Sequence, residues 1–96
     1  MVYLVTYQFR PWAPGRKAQL ERAIASTYEW AHGIDNTWLI RSQENAQAIY
    51  NRLAPFLTTS DYIMVVRITR QADYQGWLPE ELWTWLQEAL AQEPWR

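Results

Sequence analysis

The chain has 96 residues, which fit one domain with a core large enough for independent folding. Its 49% hydrophobic and 20% charged residues exclude a disordered chain, and the lack of cysteine excludes a disulfide framework, a thiolate metal site and a thiol nucleophile. The net charge of −1 hides an asymmetry that is too weak to require a nucleic-acid partner: residues 1–72 carry eight Lys or Arg against five Asp or Glu (+3), residues 73–96 one against five (−4).

No apolar run approaches about 18 residues, and Gln8 and Arg10 interrupt any signal-peptide pattern, so a soluble cytoplasmic protein with no membrane partner is expected. Seven Trp and six Tyr are a large share for this length. Buried aromatics supply much apolar area per residue, which helps a small domain fold. Such an excess also points to a further surface to cover, and a second copy of the chain is the simplest cover.

Residues 2–9 predict a first strand, with Val2, Leu4, Thr6 and Gln8 on one face and Tyr3, Val5, Tyr7 and Phe9 on the other. A strand apolar on both sides is usually covered on both sides. The stretch Arg10-Pro11-Trp12-Ala13-Pro14-Gly15 ends it, because two prolines and a glycine cannot continue a ladder. Leu20, Ile24 and Tyr28 recur at i+4 and predict a helix over 16–28. Trp30–Ile34 and Thr37–Arg41 read as a hairpin about the turn signal Asp35-Asn36. Ser42 is the predicted N-cap of a second helix with the stripe Ala46, Ile49, Tyr50 and Leu53, ended by Pro55. After the loop Thr58–Asp61, residues 62–68 form the most strand-like run in the chain.

The order strand, helix, strand, strand, helix, strand is that of a ferredoxin-like split βαβ sandwich, an α+β fold with two helices on one sheet face and the other face bare. Beyond Gln71–Gln75, Pro79 and the pair Glu80-Glu81 suit the start of a third helix over 79–91, with Leu82, Leu86, Ala89 and Leu90 on one stripe. Apolar around much of its girth, this helix is expected to pack on the body or on a partner chain. The domain reading is one unit, 1–96, with a core over 1–70 and a tryptophan-rich C-terminal segment over 71–96.

Three parts of the chain carry a family resemblance: the opening strand ending Tyr7-Gln8, the Trp30-Ala31-His32-Gly33-Ile34 and Thr37–Ile40 hairpin, and the tail Gly76-Trp77-Leu78-Pro79 to Trp83-Thr84-Trp85-Leu86. On these residues nearly the whole chain resembles the SinR-like small proteins. Topology and the first strand are similar to their distant relatives, the CRISPR-associated small spacer-acquisition nuclease and the VapD ribonucleases. In those relatives the first strand ends in Tyr-Asp, and the aspartates of two subunits are thought to hold a divalent metal at the phosphodiester. The resemblance places Gln8 at that position. A neutral amide oxygen is a poor ligand for Mg²⁺, which wants anionic oxygen, so no metal cofactor is expected. It implies a catalytically degenerate homodimer that binds nucleic acid or a protein partner in a defence or toxin–antitoxin setting. The alternatives are an active ribonuclease and a structural interaction module with no nucleic-acid role.

Four groups of residues bear on that choice. His32, the only histidine, is the candidate general acid or base, against a half-buried strand histidine bonded to a backbone carbonyl or an acid. Asp35 and Asp61 are the other metal candidates, although both fall at predicted turns. Arg10, Arg16, Lys17 and Arg41 are candidates for phosphate contacts, with Arg67 and Arg70 at other strand ends. The rings of Tyr3, Tyr7 and Phe9, with Trp38, are read as a dimer interface or core, and the competing role is stacking of bases on a bare sheet.

Overall fold

The alternation in residues 2–8 gives each of two cores one side of the same strand. The computed structural model describes residues 1–10, 14–69 and 74–92. Its elements are β1 (Val2–Gln8), α1 (Pro14–Thr27), β2 (Glu29–Ile34), β3 (Thr37–Arg41), α2 (Ala46–Leu53), β4 (Tyr62–Ile68) and α3 (Glu80–Ala91). They make a small α+β fold with one four-stranded antiparallel sheet in the order β2-β3-β1-β4. The expected break at Pro11–Ala13, the loop at Gln71–Asp73 and the cation Arg70 lie outside the described residues.

Tyr3, Val5, Tyr7 and Phe9 point to the side covered by α1 and α2, where they meet Leu20, Ile24, Ile49 and Leu53. Pro14 opens α1, a position where a missing N–H costs nothing. The hydroxyls of this core are satisfied inside it. Tyr3 Oη donates to the Glu44 carbonyl at 2.7 Å, and Trp38 Nε1 donates to Tyr7 Oη at 2.8 Å. Tyr7 Oη in turn donates to Glu21 on α1. The interface expectation for Tyr3, Tyr7, Phe9 and Trp38 is therefore corrected. At 1–7% exposure these rings have no surface to offer a partner, because α1 and α2 already cover them.

The expectation of a bare second sheet face is corrected as well. Helix α3 lies there, packing Leu82, Leu86, Ala89 and Leu90 against Val2 and Leu39. One strand residue is shaped by this contact. A Cβ on Gly33 would stand 2.7 Å from Leu82 Cδ1, so any larger residue there would push the Leu82 side chain aside, and glycine lets β2 pass under α3 without that shift. The register of β2 on β3 shifts between His32 and Ile34, beside that glycine. Asn36 closes the hairpin at φ 58°, in the left-handed region that asparagine tolerates.

The N-cap of α2 differs from the sequence expectation. Asn45 caps the helix, its Oδ1 accepting from the Ala48 N–H at 2.8 Å. Ser42 instead accepts from the Glu44 N–H at 3.0 Å, in the approach to the helix. Both residue types favour caps, and the one next to the first helical residue takes the role. Pro55 falls inside a single 3-10 turn, Ala54–Phe56, which continues α2 by one tight turn.

Candidate functional site

Chemistry was expected at the Gln8 end of β1, where β1 pairs with the start of β4. A shallow hollow of about 470 Å³ lies there, lined by Thr6, Gln8, Asn36, Tyr62 and Met64 among others. Asn36 anchors its floor. The Asn36 carbonyl accepts from the Tyr7 N–H at 3.1 Å, and Asn36 Oδ1 is buried with no hydrogen-bond partner among the described residues. Every oxygen this lining offers is neutral, because none of the lining residues is a carboxylate. The donor set does not fit a divalent metal, and no metal-dependent step is derived from it.

The two aspartates weighed as substitutes are engaged otherwise. Asp61 has no exposed side-chain surface and ties three segments together. Its Oδ1 accepts from the Arg10 N–H at 2.8 Å, and its Oδ2 accepts from the Thr58 N–H at 2.8 Å and from the Arg16 guanidinium. Burial works against its ionisation, but the Arg10 and Thr58 N–H groups and the Arg16 charge outweigh that and hold the carboxyl at about 2. Asp61 is thus a capping and bridging carboxylate. Asp35 has 85% of its side chain in solvent and pairs with Lys17 at 3.3 Å.

These contacts also account for the candidate phosphate-binding cations. Arg16 is held by Asp61 and lies 5.2 Å from the centre of the Phe9 ring, Lys17 faces Asp35, and Arg41 faces Glu29 at 3.3 Å. Arg10 is exposed, with its guanidinium 5.7 Å from the centre of the Tyr62 ring. Arg41 sits opposite Val2, at the far end of β1 from Arg10, about 20 Å away at the usual strand rise. The structure gathers Arg10, Arg16 and Lys17 at one end of the sheet and leaves Arg41 at the other.

His32 is neither half-buried nor bonded to an acid. It is exposed on edge strand β2, its ring stacked on Trp38 at 4.1 Å and 11°. Among the described residues its side chain forms no hydrogen bond or ion pair, so no polar partner sets its proton for acid or base work. Stacking on an indole is what holds it.

A further surface lies on the α3 side of the sheet. A cavity of about 300 Å³ opens between α3, the segment before it and the strands, walled by Leu4, Ile68, Leu78, Leu82, Trp83 and Leu86. Trp77 stands at its rim with 98% of its surface exposed. On the same sheet face, β4 continues outward with Val66 opposite Leu4, Met64 opposite Thr6 and Tyr62 opposite Gln8. These three are 42%, 59% and 58% exposed, on a strand at the edge of the sheet. A signal for this strip was present in the sequence. Residues 62–66 are apolar or aromatic at every position, more than one covered face requires.

Among the described residues no group of three or more His, Cys, Asp or Glu gathers, and no helix is long and apolar enough to cross a membrane. Compared with protein-family models, curated proteins and solved structures, the chain matches none of them.

Proposed function

We propose that this chain is a self-associating interaction protein, a catalytically degenerate form of the small nucleases it resembles, working in the cytoplasm as a homodimer. The observation that carries this reading is the apolar strip Tyr62, Met64 and Val66 on edge strand β4, which runs on through Leu4 into the α3-side cavity. Exposed apolar surface joined to an unpaired strand edge is the usual mark of a protein-binding face. The ferredoxin-like reading behind the resemblance is supported by the β-α-β-β-α-β order, the strand order β2-β3-β1-β4 and the placement of α1 and α2 on one sheet face. The neutral lining around Gln8 and the engaged Asp61 support the loss of metal-dependent cleavage.

Sedimentation velocity over a concentration series tests the reading. The expected result is a dimer that Met64→Lys converts to a monomer with an intact, cooperative melt, lowered only by the loss of association, because Met64 is on the surface. A wild type that stays monomeric at about 100 µM would remove self-association, since such a contact would be too weak to matter. RNA incubated with Mg²⁺, Mn²⁺ or EDTA is expected to stay intact, and cleavage that depends on His32 would revive the ribonuclease alternative. A nucleic-acid role is favoured by one observation, the grouping of Arg10, Arg16 and Lys17 beside the hollow at Gln8. It predicts salt-sensitive anisotropy changes with labelled RNA or DNA that Arg10→Glu weakens.

A further inference from the structure

Trp77 is the most exposed large apolar side chain among the described residues, and it stands at the mouth of an apolar hollow. The two features fit each other. A cavity of about 300 Å³ is at the low end of those that hold ligands and suits a bicyclic ring better than a folded segment. Its walls are almost wholly aliphatic and aromatic, with Thr37 and Gln75 as polar exceptions. Tryptophan is also the residue most often found as the central anchor of an interface, seated in a pocket of the partner.

We infer that a second copy of this chain covers the cavity, with the Trp77 of each protomer entering the hollow of the other about a two-fold axis. This rests on the self-association proposed above and names its anchor. A two-fold contact needs one patch that carries both a projection and a recess, and Trp77 and the cavity are adjacent on one patch. Trp77 is 98% exposed, and a Cβ on its neighbour Gly76 would meet nothing within 4 Å, so the body leaves room for a partner around this indole.

The area is sufficient. An aromatic side chain buries about 150–250 Å², so two indoles and the walls they cover remove roughly 600–1,000 Å² from water. A specific interface needs about 1,000 Å², and the adjoining strip of Tyr62, Met64 and Val66 supplies the remainder.

Sedimentation velocity on the full chain, with two variants and their mixture, tests the inference. Trp77→Ala changes only an exposed side chain and leaves the fold intact, so the inference stands or falls on it. Its dimer is expected to weaken by roughly 30-fold or more, the loss that accompanies removal of an interface anchor. Leu4→Trp fills the cavity from its floor and is expected to be monomeric as well, with a cooperative melt to show that it folds. Mixing the two restores one insertion, because the Trp77 of one variant can enter the open cavity of the other, and a heterodimer appears. A Trp77→Ala dimer as tight as wild type overturns the inference while leaving self-association through the β4 strip in place. Dimer loss in both variants with no heterodimer on mixing also overturns it, since reciprocal insertion requires complementation. A monomeric wild type overturns it together with the proposed function.

Discussion

The hydrogen-bond relay Trp38–Tyr7–Glu21 joins the middle of the sheet to α1, and Tyr7→Phe removes its centre without changing the ring. Tyr7 and Trp38 are 4% and 5% exposed, so the indole N–H that lost its acceptor would have no access to water. A buried donor left without a partner costs about 1–3 kcal/mol. Glu21 is half-buried and recovers hydration once the phenol is gone, so its side of the relay adds little. The expected destabilisation is about 2 kcal/mol. With a urea m-value of about 1–1.5 kcal/mol/M for a domain of this size, the midpoint moves down by between about 1 and 2 M. Urea titration followed by far-UV circular dichroism measures it.

A double-mutant cycle with Trp38→Phe sharpens the argument. In the double variant the orphaned donor is gone, so its cost is less than the sum of the singles, by about 1 kcal/mol or more. A Tyr7→Phe protein within about 0.5 kcal/mol of wild type, or strict additivity in the cycle, would refute the reasoning. Alkaline unfolding offers a check on the same group. Burial, reinforced by the bond to Glu21, raises the Tyr7 phenol well above its ordinary value of 10.0. The folded state therefore keeps a proton that the unfolded chain releases. Stability from this source is complete below pH 10 and declines above it in wild type, and that decline is absent from Tyr7→Phe.

Two further predictions concern α3 and the Asp61 bridge. Gly33→Ala places a methyl group against Leu82 and is expected to cost about 1–3 kcal/mol; Leu82→Ala in the same chain opens the space, so the pair is less than additive in urea. The Asp61 carboxyl is held at about 2 against an ordinary 3.8, so its contribution is complete above that ordinary value and is lost as pH falls toward 2. Acid titrations read by circular dichroism should show a shallower loss of stability over that window in Asp61→Asn than in wild type, and parallel curves would show that the Arg10, Thr58 and Arg16 contacts do not hold the ionised form.

The elements were legible wherever a period was written in side chains. Leu20, Ile24 and Tyr28 place α1 within two residues of its observed ends, and alternation places β1 and β4 as closely. Which surface covers which is a different kind of information. Tyr3, Tyr7 and Phe9 announce a buried face, but the same rings would serve a core or an interface. Only the docking of Leu20, Ile24, Ile49 and Leu53 decides for the core. The stripe of α3 likewise says that the helix must be buried without saying on which side of the sheet. The side is decided by the packing of that stripe on Val2 and Leu39, with Gly33 leaving room for the Leu82 methyls from 49 positions away.

The candidate site follows the same division. Gln8 was legible because an amide oxygen is neutral wherever it stands, and that alone makes it a poor ligand for Mg²⁺. The fates of Arg16 and Asp61 were not, since that pair spans 45 residues and forms only when the end of β1, the start of α1 and the loop before β4 converge. Trp77 was hidden for the opposite reason. In Gly-Trp-Leu-Pro it reads as the lead-in to a helix, and nothing in its neighbours marks it as the tryptophan left almost wholly in water. Its exposure has meaning only beside the hollow that Leu4, Ile68 and Leu82 form with it, three residues from three elements that no linear pattern joins.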